Sequence, residues 1–338
     1  MNLPYRIELL SRLGEYMLSS DPAWMEAREK ASRENNWFIP EFLDPAIRNI
    51  ATRFLQKQEL EQWMSDPAYS SLQDEPSDPK TVGIVMAGNI PLVGFHDWLC
   101  VFISGHKALI KPSSRDKALI THLLDKLASW SPEAGKQTSQ AEMLKGCDAY
   151  IATGSNNTSR YFEYYFNRYP HIIRRNRTSA GILTGMETSA ELEGLADDVH
   201  LYFGLGCRNI TKIYVPRDYD FLPLLESFKK YGWMIEHHKY KNNYDYNLAI
   251  HLLNKKFYMT NGSILLVEEP SFFSPISQLN FEYYEKEQDL FAQLNDHPDL
   301  QAVIGKKGIP FGGSQVPGLK DYADGIDSLS FLAGLARN

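Results

Sequence analysis

Short apolar runs and segments with a helical period alternate through the middle of this chain. The runs Thr81-Val-Gly-Ile-Val-Met86, Lys107-Ala-Leu-Ile-Lys111 and Asp148-Ala-Tyr-Ile-Ala-Thr153 read as strands. Between and after them, residues 114–130, with Ala118, Leu119, Leu123 and Leu127 turned inward, and residues 156–169 read as helices. Strand-helix alternation of this kind predicts an α/β fold with a doubly wound, mostly parallel sheet. The first 66 or so residues are helical in pattern, and Asp44 before Pro45 predicts an N-cap and first-turn pair for a helix over 45–55. Residues 73–80 form a polar, Pro-containing connector. A second α/β unit runs from about residue 178 to 317. In it, Leu192, Leu195, Val199 and Tyr202 recur at steps of 3, 4 and 3, which predicts a helix, and residues 211–216 read as a strand. No internal repeat or low-complexity tract interrupts the pattern.

Composition narrows the function. The chain has 338 residues, 43% hydrophobic and 23% charged, with a net charge of −7. That is the composition of a soluble enzyme of about two domains. Without a long basic tract, nucleic acid is not an expected partner. The longest apolar stretch, 82–95, is broken by Asn89 and Pro91 and is too short to span a bilayer. Three cysteines point to a reducing compartment rather than a disulfide framework, and the polar N-terminus does not look like a secretory signal. A cytoplasmic location is therefore expected. The nine histidines show neither HExxH nor CxxC spacing, so no metal site is expected.

Candidate chemistry centres on Cys207, in Gly204-Leu-Gly-Cys-Arg-Asn209, between the expected helix and strand. An isolated cysteine is ordinarily a small buried hydrophobe, the reading given to Cys100 and Cys147. On a Gly-rich turn with a guanidinium next in sequence, a thiolate becomes a usable nucleophile. Three loops follow expected strand ends, where open α/β sheets place ligands. Gly88-Asn89-Ile-Pro91 can aim the Asn89 amide at a developing negative charge, although Asn in such a turn often serves the turn itself. Lys111-Pro-Ser113-Ser114-Arg115 suits a nucleotide ribose or phosphate, or simply caps a helix. Gly154-Ser155 at a helix start suits a phosphate, without the GxGxxG fingerprint. Glu268-Glu269 reads as a solvated strand end.

The order of these pieces is more specific than any one of them. Gly88-Asn-Ile-Pro91, Lys111-Pro-Ser-Ser114, Ala152-Thr-Gly-Ser155, Gly204-Leu-Gly-Cys207 and Pro310-Phe-Gly-Gly313 resemble, in sequence order, motifs of the aldehyde dehydrogenase superfamily. Glu191-Leu-Glu193 and Phe272-Phe-Ser-Pro275 add to the resemblance. Within the superfamily, Gly88-Asn-Ile-Pro-Leu92, Arg174-Arg-Asn-Arg177, Gly206-Cys-Arg-Asn209 and Asp321-Tyr-Ala-Asp-Gly-Ile-Asp327 are most similar to the fatty acyl-CoA reductases typified by that of bacterial bioluminescence operons.

The resemblance implies a helical N-terminal region with a dinucleotide-binding domain over 1–177, a catalytic domain over 178–317 and a C-terminal tail over 318–338. It implies acylation of Cys207 by acyl-CoA, an oxyanion held by the Asn89 side chain and the Cys207 N–H, and a cofactor bound by Lys111, Ser113, Ser114, Arg115, Gly154 and Ser155. It also implies a homo-oligomer. The family's water-activating Glu has no counterpart in Ile172 to Ser179, which suits a reductase rather than a hydrolase. The carboxylate of its KPSE loop is replaced by Ser114, and its ribose-binding Glu by Ser271. With Arg115 adjacent to pair with a 2′-phosphate, the expected cofactor is NADPH. Two alternatives stay open: a reductase taking its acyl group from an acyl phosphate, an acyl-adenylate or an acylated partner protein, and a catalytically silent scaffold subunit.

Overall fold

A computed structural model describes residues 1–335 of the chain, without the Asn156 side chain. The chain forms two compact units, Met1–Asn176 together with the segment from Pro317 on, and Arg177–Val316.

In the first unit five strands, β1 (Thr81–Val85), β2 (Lys107–Lys111), β3 (Thr138–Gln140), β4 (Ala149–Thr153) and β5 (His171–Arg174), pair in the order β3-β2-β1-β4-β5. Every pairing is parallel. Parallel strands need crossovers, which the helices Phe95–Ser104, Lys117–Trp130 and Asn156–Phe166 supply. β1 is the central strand, with β4 beside it, and both are buried along most of their length, which is why both read as near-continuous apolar runs. Strand order reverses between β1 and β4, so a crevice is expected outside the carboxyl ends of those two strands.

The N-terminal helices pack into the same core, contributing Leu10, Leu13, Trp24 and Trp63. One expectation fails here. The third helix spans Pro40–Asn49, with Pro40 rather than Pro45 in the first turn, and Pro45 lies inside it. Ile39 carbonyl oxygen accepts from the N–H groups of Phe42 and Leu43, starting the helix five residues early. Burial of Phe42, Leu43, Ala46 and Ile47 along one face outweighs the N–H that Pro45 lacks. Asp44 caps nothing and pairs with Arg28.

The C-terminal segment completes this unit. Leu329 and Leu332 of the last helix join its core. Arg174, at the end of β5, donates to Asp97 (2.6 Å), to Ser328 Oγ (2.7 Å) and to the Ala323 carbonyl. Tyr69 donates to Asp327 at 2.8 Å, and its hydroxyl meets that of Tyr322 at 2.9 Å.

The second unit holds β6 (Thr178–Ile182), β7 (Ile210–Pro216), β8 (Met259–Thr260), β9 (Leu265–Glu268), β10 (Gln278–Tyr284) and β11 (Leu300–Ile304), in the order β11-β6-β7-β10-β9-β8. Only the β8–β9 pairing is antiparallel. No helix among the described residues is long and apolar enough to cross a membrane.

Candidate active site

The first unit gathers the candidate cofactor residues on one edge. Asn89 follows β1, Lys111 ends β2 and Pro112 to Arg115 follow it, and Gly154-Ser155 follow β4, so all lie at the carboxyl ends of parallel strands. The first two loops touch. A Cβ on Gly88 would stand 2.5 Å from Ser113 Oγ and 2.6 Å from Ser113 Cβ, so only glycine lets them meet. Buried Asp116 ties them further by accepting the Leu92 N–H at 2.6 Å. Its other oxygen, Oδ1, has no hydrogen-bond partner among the described residues. Burial lifts this carboxyl well above the usual range, only partly opposed by the Leu92 N–H.

The expected helix over 114–130 begins later, at Lys117, which leaves Ser113, Ser114 and Arg115 in an open loop rather than in a helical first turn. Ser114 and Arg115 are exposed and Asn89 is half-buried. Gly154 packs on the helix that follows, because a Cβ there would lie 2.9 Å from Phe162 and 3.1 Å from Thr158. Ser155 is that helix's N-cap, accepting the Thr158 N–H.

Cys207 belongs to the second unit. The helix before it, Ser189–His200, opens with a capping box in which Thr188 and Glu191 satisfy each other's backbone N–H groups. The chain then turns left-handed at three successive residues, Tyr202, Phe203 and Gly204, with φ of 58°, 56° and 73°. Two aromatic residues in that region store strain that the surroundings must hold.

Asn209, fully buried, supplies part of the hold. Its amide donates to the carbonyls of Asp198 (3.0 Å) and Leu201 (2.9 Å), and its Oδ1 accepts the Gly206 N–H at 2.8 Å. Ser179 Oγ donates to the Cys207 carbonyl at 3.1 Å. Asp198 anchors the Pro310-Phe-Gly-Gly313 segment through Gly312 N–H (2.7 Å) and Ser314 N–H and Oγ (3.0 and 2.6 Å). Sequence reasoning missed Ser179 and Asp198. A small polar residue in a strand and an acid in a helix carry no outward sign of burial.

The three thiols differ. Cys100 and Cys147 are buried, and desolvation pushes both upward in pKa. Cys207 is half-exposed on its turn. The carboxylates Glu268 and Glu269 lie at the carboxyl end of β9, whereas Cys207 precedes the amino end of β7, and β9, β10 and β7 run parallel. By register Glu268 is level with Ile213 in the middle of β7, with β10 lying between β9 and β7, so it is set apart from the turn that carries the thiol, and Glu269 is paired with Lys256. Among the described residues, no group of three or more His, Cys, Asp or Glu is placed to hold a metal.

No protein-family model matches the chain, and no curated protein matches it by sequence. Solved structures do match. An NAD-dependent aldehyde dehydrogenase from Sinorhizobium meliloti superposes with a TM-score of 0.65 at 14% identity, over 90% of this chain and 70% of that one. The fold is that of the aldehyde dehydrogenases. An NADP-dependent enzyme from E. coli (TM-score 0.64, 13% identity) and a putative aldehyde dehydrogenase from Burkholderia cenocepacia (0.63, 13%) each match over 90% of this chain, and over 73% and 74% of their own lengths. On this aldehyde dehydrogenase fold, the chain's accessible thiol occupies the turn between a capped helix and a central strand.

Proposed function

We propose that the protein is an NADPH-dependent acyl-CoA reductase that forms a fatty aldehyde through an acyl-Cys207 intermediate. The observation that carries this reading is Cys207: the half-exposed member of three thiols, on a strained turn held by buried polar side chains, in an aldehyde dehydrogenase fold. The Cys207 thiolate attacks the thioester carbon of an acyl-CoA. The Asn89 amide is assigned to the resulting oxyanion because a half-buried amide just past a strand is a neutral, oriented donor. As the carbon–sulfur bond to CoA breaks, CoA leaves as a thiolate and takes up a proton, and the acyl group stays on Sγ.

The cofactor loops fit a dinucleotide. Gly88 allows two of them to touch, and Gly154 brings a third against the start of a helix. When bound, NADPH supplies the hydride that converts the acyl group to aldehyde. Lys111, Ser113 and Ser155 hold it, while Ser114 and Arg115 leave room and positive charge for a 2′-phosphate.

Water is a poor competitor in this reading. Residues 172–179 carry no carboxylate, and Glu268 is level with the middle of β7 and separated from it by β10, with Glu269 held by Lys256. The test is mass spectrometry after incubation with acyl-CoA and no NADPH. One acyl adduct on the peptide containing Cys207 should persist for minutes, be discharged by free CoA, and be absent from Cys207→Ala. Rapid release of free fatty acid would make the protein a hydrolytic aldehyde dehydrogenase instead, and an adduct on Cys100 or Cys147 would overturn the assignment.

A further inference from the structure

The bonds around Cys207 do more than hold a loop in place, because they constrain consecutive peptide planes. The Gly206 N–H is accepted by Asn209 Oδ1 at 2.8 Å, which fixes the plane entering Gly206. The Gly206 carbonyl accepts the Asn209 backbone N–H at 3.1 Å, which fixes the Gly206–Cys207 plane. The Cys207 carbonyl accepts Ser179 Oγ at 3.1 Å, which fixes the plane leaving the cysteine. All these peptides are trans, so each N–H points opposite to its own carbonyl. The Cys207 N–H is thereby aimed away from Asn209, in a direction set before any substrate arrives.

Both anchoring side chains are fully buried, with 0% exposure for Ser179 and Asn209. Asn209 is itself locked by carbonyls at the helix end, and the Asn209 carbonyl accepts Thr178 Oγ1 at 3.2 Å. This is a built frame, on the sheet side of the turn, whose bonds converge on the residues flanking one thiol.

We propose that Ser179 and Asn209 are positioning residues for acyl transfer: they orient the Cys207 N–H as an oxyanion donor and the Sγ as a nucleophile relative to it. The inference rests on Cys207 being the acylated residue. Neither side chain is assigned a bond to substrate.

Two reactions of the same thiol separate positioning from general support. Alkylation by iodoacetamide needs the thiolate but no oxyanion donor, whereas acylation by an acyl-CoA needs both. Ser179→Ala removes only the bond to the Cys207 carbonyl. It should leave the alkylation rate and its pH profile within about twofold of wild type, and lower the acylation rate and kcat by about 10- to 100-fold with little change in KM. Ser179→Thr, which retains the hydroxyl, should recover most of the loss. Ser179→Cys, close in shape with a weaker donor, carries the same expectation should Ser179→Ala prove insoluble. Wild-type acylation in both Ser179→Ala and Ser179→Cys would overturn the proposal while leaving the functional reading intact. An equal fall in alkylation and acylation would also overturn it, because the frame would then only support the loop. Failure of the wild-type protein to acylate Cys207 at all would remove the functional reading, and this inference with it.

Discussion

Arg174 opens the arginine-rich stretch that helped suggest a reductase, yet its surroundings make it a structural ion. Its side chain is 3% exposed and that of its partner Asp97 is 11% exposed, with 2.6 Å between them. Burial works against the guanidinium's charge, but the attraction and hydrogen bond of Asp97, with Asp324 adding to them, bring Arg174 above its ordinary pKa. Arg174→Met removes the partner of a buried carboxylate and frees Ser328 and the Ala323 carbonyl together. Breaking a buried pair on one side costs about 3–5 kcal/mol, because the surviving charge stays desolvated. For a unit of this size each kcal/mol lowers Tm by about 2–4 °C, so the first unit should melt about 6–20 °C lower. Calorimetry would follow that transition. Replacing both partners, Asp97→Leu with Arg174→Met, should recover much of the loss, since no charge is then left unpaired. Arg175→Ala is the control: that side chain is 65% exposed and paired with Glu163 at the surface, and its loss should shift stability by no more than about 0.5 kcal/mol. An Arg174→Met variant within 1 °C of wild type, or a double variant less stable than the single one, would refute the reasoning.

Three further outcomes are expected. Asn89→Ala should lower kcat by about 10²–10³ with little effect on melting, read by steady-state kinetics with an acyl-CoA; near-normal turnover would remove Asn89 from the site. Ser114→Glu should weaken NADPH binding through repulsion of the 2′-phosphate, and fluorescence titration should show the preference over NADH narrowing or reversing. Asp116→Asn should melt higher than wild type at pH 7. Burial raises the folded carboxyl well above its ordinary 3.8, so the wild type loses stability as pH rises from that value toward the folded one. The advantage should shrink below about pH 4, where both states of the wild type are protonated, and a difference independent of pH would count against it.

Much of the first unit was legible because its central strands are buried on both faces. Val82, Ile84 and Ile151 have no side that faces water, and their runs stand out against the polar loops. The order of the loops was legible for the same reason, since each follows a strand end. What could not be read is set by tertiary contacts. Pro45 looked like a helix start because local propensity places proline there, but the apolar face from Phe42 to Ile47 pulled the start back to Pro40. Arg174 stood in the sequence only as one of a run of arginines, and the folded position of Asp97 and Ser328 is what singles it out as a buried ion. Ser179 sits among strand residues as an ordinary small polar side chain, and nothing local to it points to a cysteine carbonyl 28 residues onward.

The first unit is discontinuous in the chain, and this has a consequence for how the protein is made. Its sheet is complete by Arg174, but the partners of Arg174, His106 and Tyr69 include Ser328, Leu332 and Tyr322. During translation at about 5–20 residues per second, the roughly 160 residues after Asn176 take about 8–30 s to appear. Throughout that interval the Arg174–Asp97 pair and the apolar surface awaiting Leu329 and Leu332 lack their cover. The second unit, continuous from Arg177 to Val316, has all its strands earlier than the first unit has its last helix. The unit that begins first is thus the unit that closes last, and the nascent chain is most exposed to chaperones and to aggregation over its five-stranded parallel sheet.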